Sequence, residues 1–152
     1  MAGRDLPDEQ VEHELERLLE ELRVALPGVQ ILFAFLLAVP FANRFDDVTP
    51  LQTRVYFVSF VAALAASIFL IAPSSYHRIR FRKHDDPERM VRIANVFSLI
   101  GLAFLGIALT AATFLITDFV FGGAASVAVT SVMGALLFAV WYGIPLSRFL
   151  QD

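Results

Sequence analysis

Apolar residues fill four long stretches of this chain without one charged side chain: 24–43, 55–76, 93–117 and 119–147, of 20, 22, 25 and 29 residues. At about 1.5 Å per residue, each can cross a roughly 30 Å hydrocarbon layer as a helix. A helix also satisfies its own backbone where no water can. The last two stretches are parted only by Asp118. A single helix over both would be about 82 Å long, so Gly122-Gly123, a helix-breaking pair beside that charge, predicts a turn at 118–123. The pattern therefore predicts an all-α fold, a four-helix transmembrane bundle with spans near 24–43, 55–76, 93–117 and 121–144.

Ahead of the first span the period changes. Val11, Leu15, Leu18 and Leu22 recur at intervals of 4, 3 and 4, with Leu19 widening the stripe and acids covering the remainder. That is an N-terminal amphipathic helix within residues 1–23. Eight acids against three arginines there, with no processing site, do not make a cleaved signal, so the first span is expected to be retained. An anionic leaflet repels such a helix. Its expected partner is protein: its own basic loop, another membrane subunit, or a second copy through a two-heptad coiled coil. Pro27 fits the first turn of the first span, and Pro40 sits near its far end, where a missing hydrogen bond costs least.

Net charge is only −3, but the bases are segregated. Ten of the twelve fall in residues 1–23, the loop 77–92 and the tail 148–152, whereas the opposite side keeps Arg44 and Arg54. The positive-inside rule places both termini and the basic loop in the cytoplasm. Asp86-Pro87-Glu88 reads as an N-cap, first-turn proline and dipole-matching acid, so a helix is expected to begin there. Arg78, Arg80, Arg82 and Lys83, beside the bilayer, are candidates for binding anionic lipid headgroups or a protein partner.

Small residues four apart mark faces where backbones can approach closely: Ala62/Ala66 and Ala63/Ser67, Gly106/Thr110 and Ala108/Ala112, Thr130/Gly134 and Ser131/Ala135. In lipid, dispersion packing on such faces drives helix association, within one copy or in a homo-oligomer. Trp141 and Tyr142 are expected anchors at the headgroup level.

Chemistry is sparser. Gln30, Asn95, Ser67, Ser98, Thr110, Thr113, Thr130 and Ser131 are the polar residues that could line a neutral path, while every Asp, Glu, Lys, Arg and His falls outside the four stretches. His77, His84, Asp85 and Asp86 suit a surface hydrolase in residue type, but their spacing matches no usual zinc arrangement. No cofactor or metal is expected. With no cysteine, disulfides, thiolate metal sites and palmitoylated thiols are excluded. Nor is there a glycine-rich phosphate loop, a serine nucleophile elbow, or a basic and aromatic surface for nucleic acid.

The run Leu22-Arg23-Val24-Ala25-Leu26-Pro27-Gly28-Val29-Gln30-Ile31-Leu32-Phe33-Ala34-Phe35-Leu36-Leu37, then Pro40-Phe41 and Ala72-Pro73-Ser74-Ser75-Tyr76-His77-Arg78, resembles a family of small actinobacterial membrane proteins of unknown function. The resemblance extends over nearly the whole chain and implies a bacterial cytoplasmic (inner) membrane and a compact four-helix unit. Some members carry the name sodium/proton antiporter, an activity that uses an ionisable group inside the membrane. None of the four stretches holds an Asp, Glu, Lys, Arg or His. The expected role is that of a non-enzymatic integral membrane protein, an oligomeric scaffold or accessory subunit binding protein or lipid. The alternatives are a small transporter or channel formed by an oligomer and a membrane-surface hydrolase.

Overall fold

The computed structural model describes residues 6–42, 47–80 and 87–143. Helix α1 is Leu6–Ala38, followed by a 3-10 turn at Val39–Phe41; α2 is Pro50–Arg80, α3 is Pro87–Val120, and α4 is Gly123–Phe138, continued by a π-helical turn at Ala139–Gly143. Among the described residues, four segments are long and apolar enough to cross a membrane: Glu16–Phe41, Pro50–Ser75, Val91–Val120 and Gly123–Gly143. The predicted all-α four-helix bundle is the fold found.

Its packing is uneven. Helices α1, α2 and α3 each touch the other two, whereas α4 approaches α3 alone among them. In the triangle, buried positions recur every seven residues: Leu22, Val29 and Leu36 on α1, Ser59 and Ala66 on α2, Ala94, Gly101 and Ala108 on α3. A seven-residue repeat, 3.5 residues per turn, is the period at which helices cross by roughly 20° in a left-handed sense.

The α2–α3 seam is the tightest contact, and its residues are small. Ala63, Ala66 and Ala108 are fully buried, with Ala62 and Ala112 nearly so. This closeness lets Ser59 Oγ donate to the carbonyl of Ala108 on the neighbouring helix at 2.9 Å. Tyr56 OH donates to Leu36 O at 2.9 Å, tying α2 to α1. Phe33 stacks on Phe60, and Phe69 on Phe104. Hydrogen bonds between membrane helices average only about 0.6 kcal/mol. Ser59→Ala is accordingly expected to lower stability by about that much, read by detergent or thermal unfolding.

Two boundaries differ from the sequence expectation. Pro27 does not open the first span but lies inside α1, which runs through it. The carbonyl that Pro27 cannot pair belongs to Arg23, an exposed residue near the expected bilayer boundary, while Leu22 and Val29 on either side stay buried on one face. Packing on both sides of the proline holds the helix in line. Pro73 likewise lies inside α2, buried, and the helix continues to Arg80, so residues 77–80 are helix rather than loop. Helix α3 starts at Pro87, where the sequence placed a helix start. Residues 81–86 and 144–152 lie outside the described residues.

Candidate functional site

The polar side chains that meet across helices gather at the end of the bundle holding the α3–α4 turn. Helix α2 opens with a reciprocal cap: Thr49 N–H donates to Gln52 Oε1 at 2.9 Å, and Gln52 N–H donates to Thr49 Oγ1 at 3.2 Å. This is a Thr-x-x-Gln capping box with Pro50 at the first helical position. Fixed in this way, the Gln52 amide turns its Nε2 to Asp118 Oδ2 at 2.9 Å, while Ser126 Oγ lies 3.0 Å from Asp118 Oδ1 and 2.7 Å from Gly123 O. Gln52 is 6% and Ser126 1% exposed, so both partners of the carboxylate are shut away from solvent.

Asp118 thus joins the last turn of α3 to the first turns of α2 and α4. Sequence analysis set it in the turn, outside every span. It lies instead within α3 and within the crossing Val91–Val120. The helix continues past it because Phe121 N–H still reaches Thr117 O, and the reversal comes at Gly122 and Gly123, with φ of 67° and 58°. Two successive positive φ values are open to glycine and strained for other residues, which is why the chain turns there. Near the positive ends of two helices a carboxylate is favoured, although the C-terminus of its own helix opposes it. Its hydrogen-bond donors are neutral, and among the described residues it makes no ion pair. The arrangement is a clasp rather than an acid–base pair.

The sequence candidates are spread widely. Ala62 and Ala66 are buried in the triangle, facing α1 and α3. Gly106, Thr110 and Gly134 lie between α3 and α4, where a Cβ on Gly134 would sit 3.5 Å from Thr110 Cγ2. Ser67, Ser98, Thr110 and Thr113 each donate to the carbonyl four residues back in their own helix, as does Thr117 to Thr113 O. Helical hydroxyls commonly bond back in this way, and it leaves them no donor to offer a solute. Gln30, Asn95 and Ser131 are exposed, each on a different helix. Thr130 Oγ1 is buried without a partner. Arg78 and Arg80 fall in the last turns of α2, as does His77, whereas Arg82, Lys83, His84, Asp85 and Asp86 lie outside the described residues. Among the described residues, no three His, Cys, Asp or Glu side chains gather to hold a metal ion.

Sequence reading missed the clasp. Thr49-Pro50-Leu51-Gln52 was visible as a capping box, but nothing in the sequence pairs Gln52 with a residue 66 positions away.

Four apolar crossings and a buried interhelical seam define an integral, multi-pass membrane protein. The chain belongs to DUF6328, a family of unknown function, which it matches over residues 4–145. No curated protein and no solved structure matches it.

Proposed function

We propose that this protein is a non-enzymatic membrane scaffold or accessory subunit whose N-terminal acidic helix engages a partner protein at the cytoplasmic face. The observation behind this reading is helix length beyond what a crossing needs. Helices α1, α2 and α3 have 33, 31 and 34 residues, about 46 to 51 Å each against a hydrocarbon layer of roughly 30 Å.

The clasp aligns the ends of α2, α3 and α4 on one side, so the surplus length falls on the other. There α1 is rooted by buried Leu22 against Ala66 and Leu70, and it presents Glu16, Arg17, Glu20 and Glu21 to solvent. The His13–Glu16 ion pair, 3.9 Å apart and exposed, contributes little, so the face stays open to an external basic surface. A rigid arm with an acidic face suits recognition of a protein. The hydroxyls bonded back into their own helices speak against a solute path within one copy.

Because the chain has no cysteine, Glu20→Cys introduces a single thiol into the full chain. A maleimide cross-linker is expected to join this thiol to one defined partner, a second copy or another subunit, in native membranes. Reversing Glu16 and Glu21 to lysine is expected to abolish the product. No cross-link, together with solute flux in proteoliposomes that falls in Gln30→Leu, would overturn the scaffold reading in favour of transport.

A further inference from the structure

Between α3 and α4, open on the side of α2, runs a groove of about 720 Å³. Its walls are apolar, with Ile107, Phe114 and Leu137 among them, and small residues at Gly106, Ala111 and Gly134 make room for it. Its one charged lining residue, Arg54, lies at one end. Gln52 paired with Asp118, and Ser59 with Ala108, set the register of α2 against α3. Ser126 paired with Asp118, and Gly134 against Thr110, set that of α4. Interpolation puts both Arg54 of α2 and Thr130 of α4 level with Phe114, about one helical turn inside Asp118. Arg54 is exposed and has no ion-pair partner among the described residues. Both oxygens of the nearby Asp118 carboxylate already accept hydrogen bonds from Gln52 and Ser126. From Phe114 the lining continues along α3 to Ala103, about 17 Å, and ends against Trp141 and Tyr142.

We propose that this groove holds one phospholipid from the leaflet on the Asp118 side, its phosphate on the Arg54 guanidinium and one acyl chain along Gly106 and Gly134 toward Trp141. A cation at the mouth of an apolar slot is complementary to an amphiphile with an anionic head, and the planar guanidinium fork matches phosphate oxygens. The lining along α3, about 17 Å from Phe114 to Ala103, is the length of a single extended file of methylenes.

Trp141 is the only tryptophan, so its fluorescence reports on the inner end of this groove without background. In detergent, phosphatidylglycerol carrying bromine on its acyl chain is expected to quench Trp141 saturably, at a single lipid per chain. Brominated diacylglycerol, which lacks the phosphate, is expected not to saturate. Arg54→Gln should weaken the phospholipid about fivefold to tenfold, and Arg54→Lys should restore most of the binding. Gly134→Leu should abolish it by filling the slot. If that variant does not fold, Arg54→Gln decides alone, since this exposed residue lies outside the packed seam. Quenching that never saturates, that is equal for both lipids, or that Arg54→Gln leaves unchanged would overturn the proposal. So would a dimer that buries Trp141 at the same lipid ratio, because a second copy would then occupy the groove.

Discussion

Gly101→Ala is expected to destabilise the protein by about 1–3 kcal/mol, the range found when a methyl is forced into a packed core. A Cβ at this position would lie 2.7 Å from both Cγ and Cδ2 of Leu70 and 3.3 Å from the Leu70 backbone nitrogen. Leu70 cannot swing aside, because it is 0% exposed and packed with Leu22, Val29 and Ala66. The helices α2 and α3 must separate instead, and their parting weakens the contacts on either side, including Ser59 to Ala108. Helix propensity acts in the opposite direction, since alanine is better than glycine in a helix by about 1 kcal/mol. Gly28 isolates that opposing effect: nothing lies within 4 Å of a Cβ there, so Gly28→Ala is expected to be neutral or stabilising. In a double-mutant cycle, Leu70→Ala makes room for the new methyl, and the pair should cost less than the sum of the singles by about 0.5–3 kcal/mol. Unfolding in detergent, followed by circular dichroism, reads all four proteins. A Gly101→Ala variant stabilised as much as Gly28→Ala would mean that α2 and α3 do not meet at this seam.

The four crossings were legible because a charge inside hydrocarbon is costly, so charge-free runs of 20 residues or more mark them directly. Which face of each helix turns inward was not. In a soluble protein apolar residues identify the buried face, but in lipid both faces are apolar: Ile68 is exposed and Leu70 buried, with little between them in hydropathy. Size carried more information than polarity. Ala62/Ala66 and Ala108/Ala112 are buried as small-residue faces, yet Ser131 and Ala135 have the same spacing and are exposed. Such spacing states that a backbone can approach, not that one does. Pro27 misled for a related reason. A local rule about Pro27 yields to packing on both sides of it when the carbonyl left unpaired is on an exposed residue.

Asp118 was misplaced by the same logic that located the spans. A charge ending a 25-residue apolar run reads as the boundary, and the helix in fact extends two residues further, to Val120. That small difference moves the carboxylate from a solvated turn to a junction of three helices. Ser126, eight residues on across Gly122-Gly123, was within reach of sequence reasoning once the turn was placed. Gln52 was not, because its reach depends on how α2 packs on α3.

Asp118→Leu is expected to cost about 2–3 kcal/mol, since it removes the acceptor of two hydrogen bonds to a charged group and leaves the buried Gln52 amide with an unpaired donor. Ser126 loses less, because its hydroxyl also reaches Gly123 O at 2.7 Å. Asp118→Asn should cost well under half as much. Its amide oxygen can accept from Gln52, its NH2 can donate to Ser126 Oγ, and the Ser126 hydrogen can turn to Gly123 O. Replacing both ends of the contact, Asp118→Leu with Gln52→Leu, should destabilise less than the sum of the two single changes, because no orphaned donor remains. The structural readout is local as well as global. Among the described residues, helix α4 has only α3 as a helix neighbour, so without the clasp its first turn loses its link to α2. Hydrogen exchange at residues 121–128 should therefore accelerate in Asp118→Leu, while the α2–α3 seam around Ser59 and Ala108 stays protected. Exchange that rises equally in both regions, or in neither, would show that Asp118 does not join these helix ends.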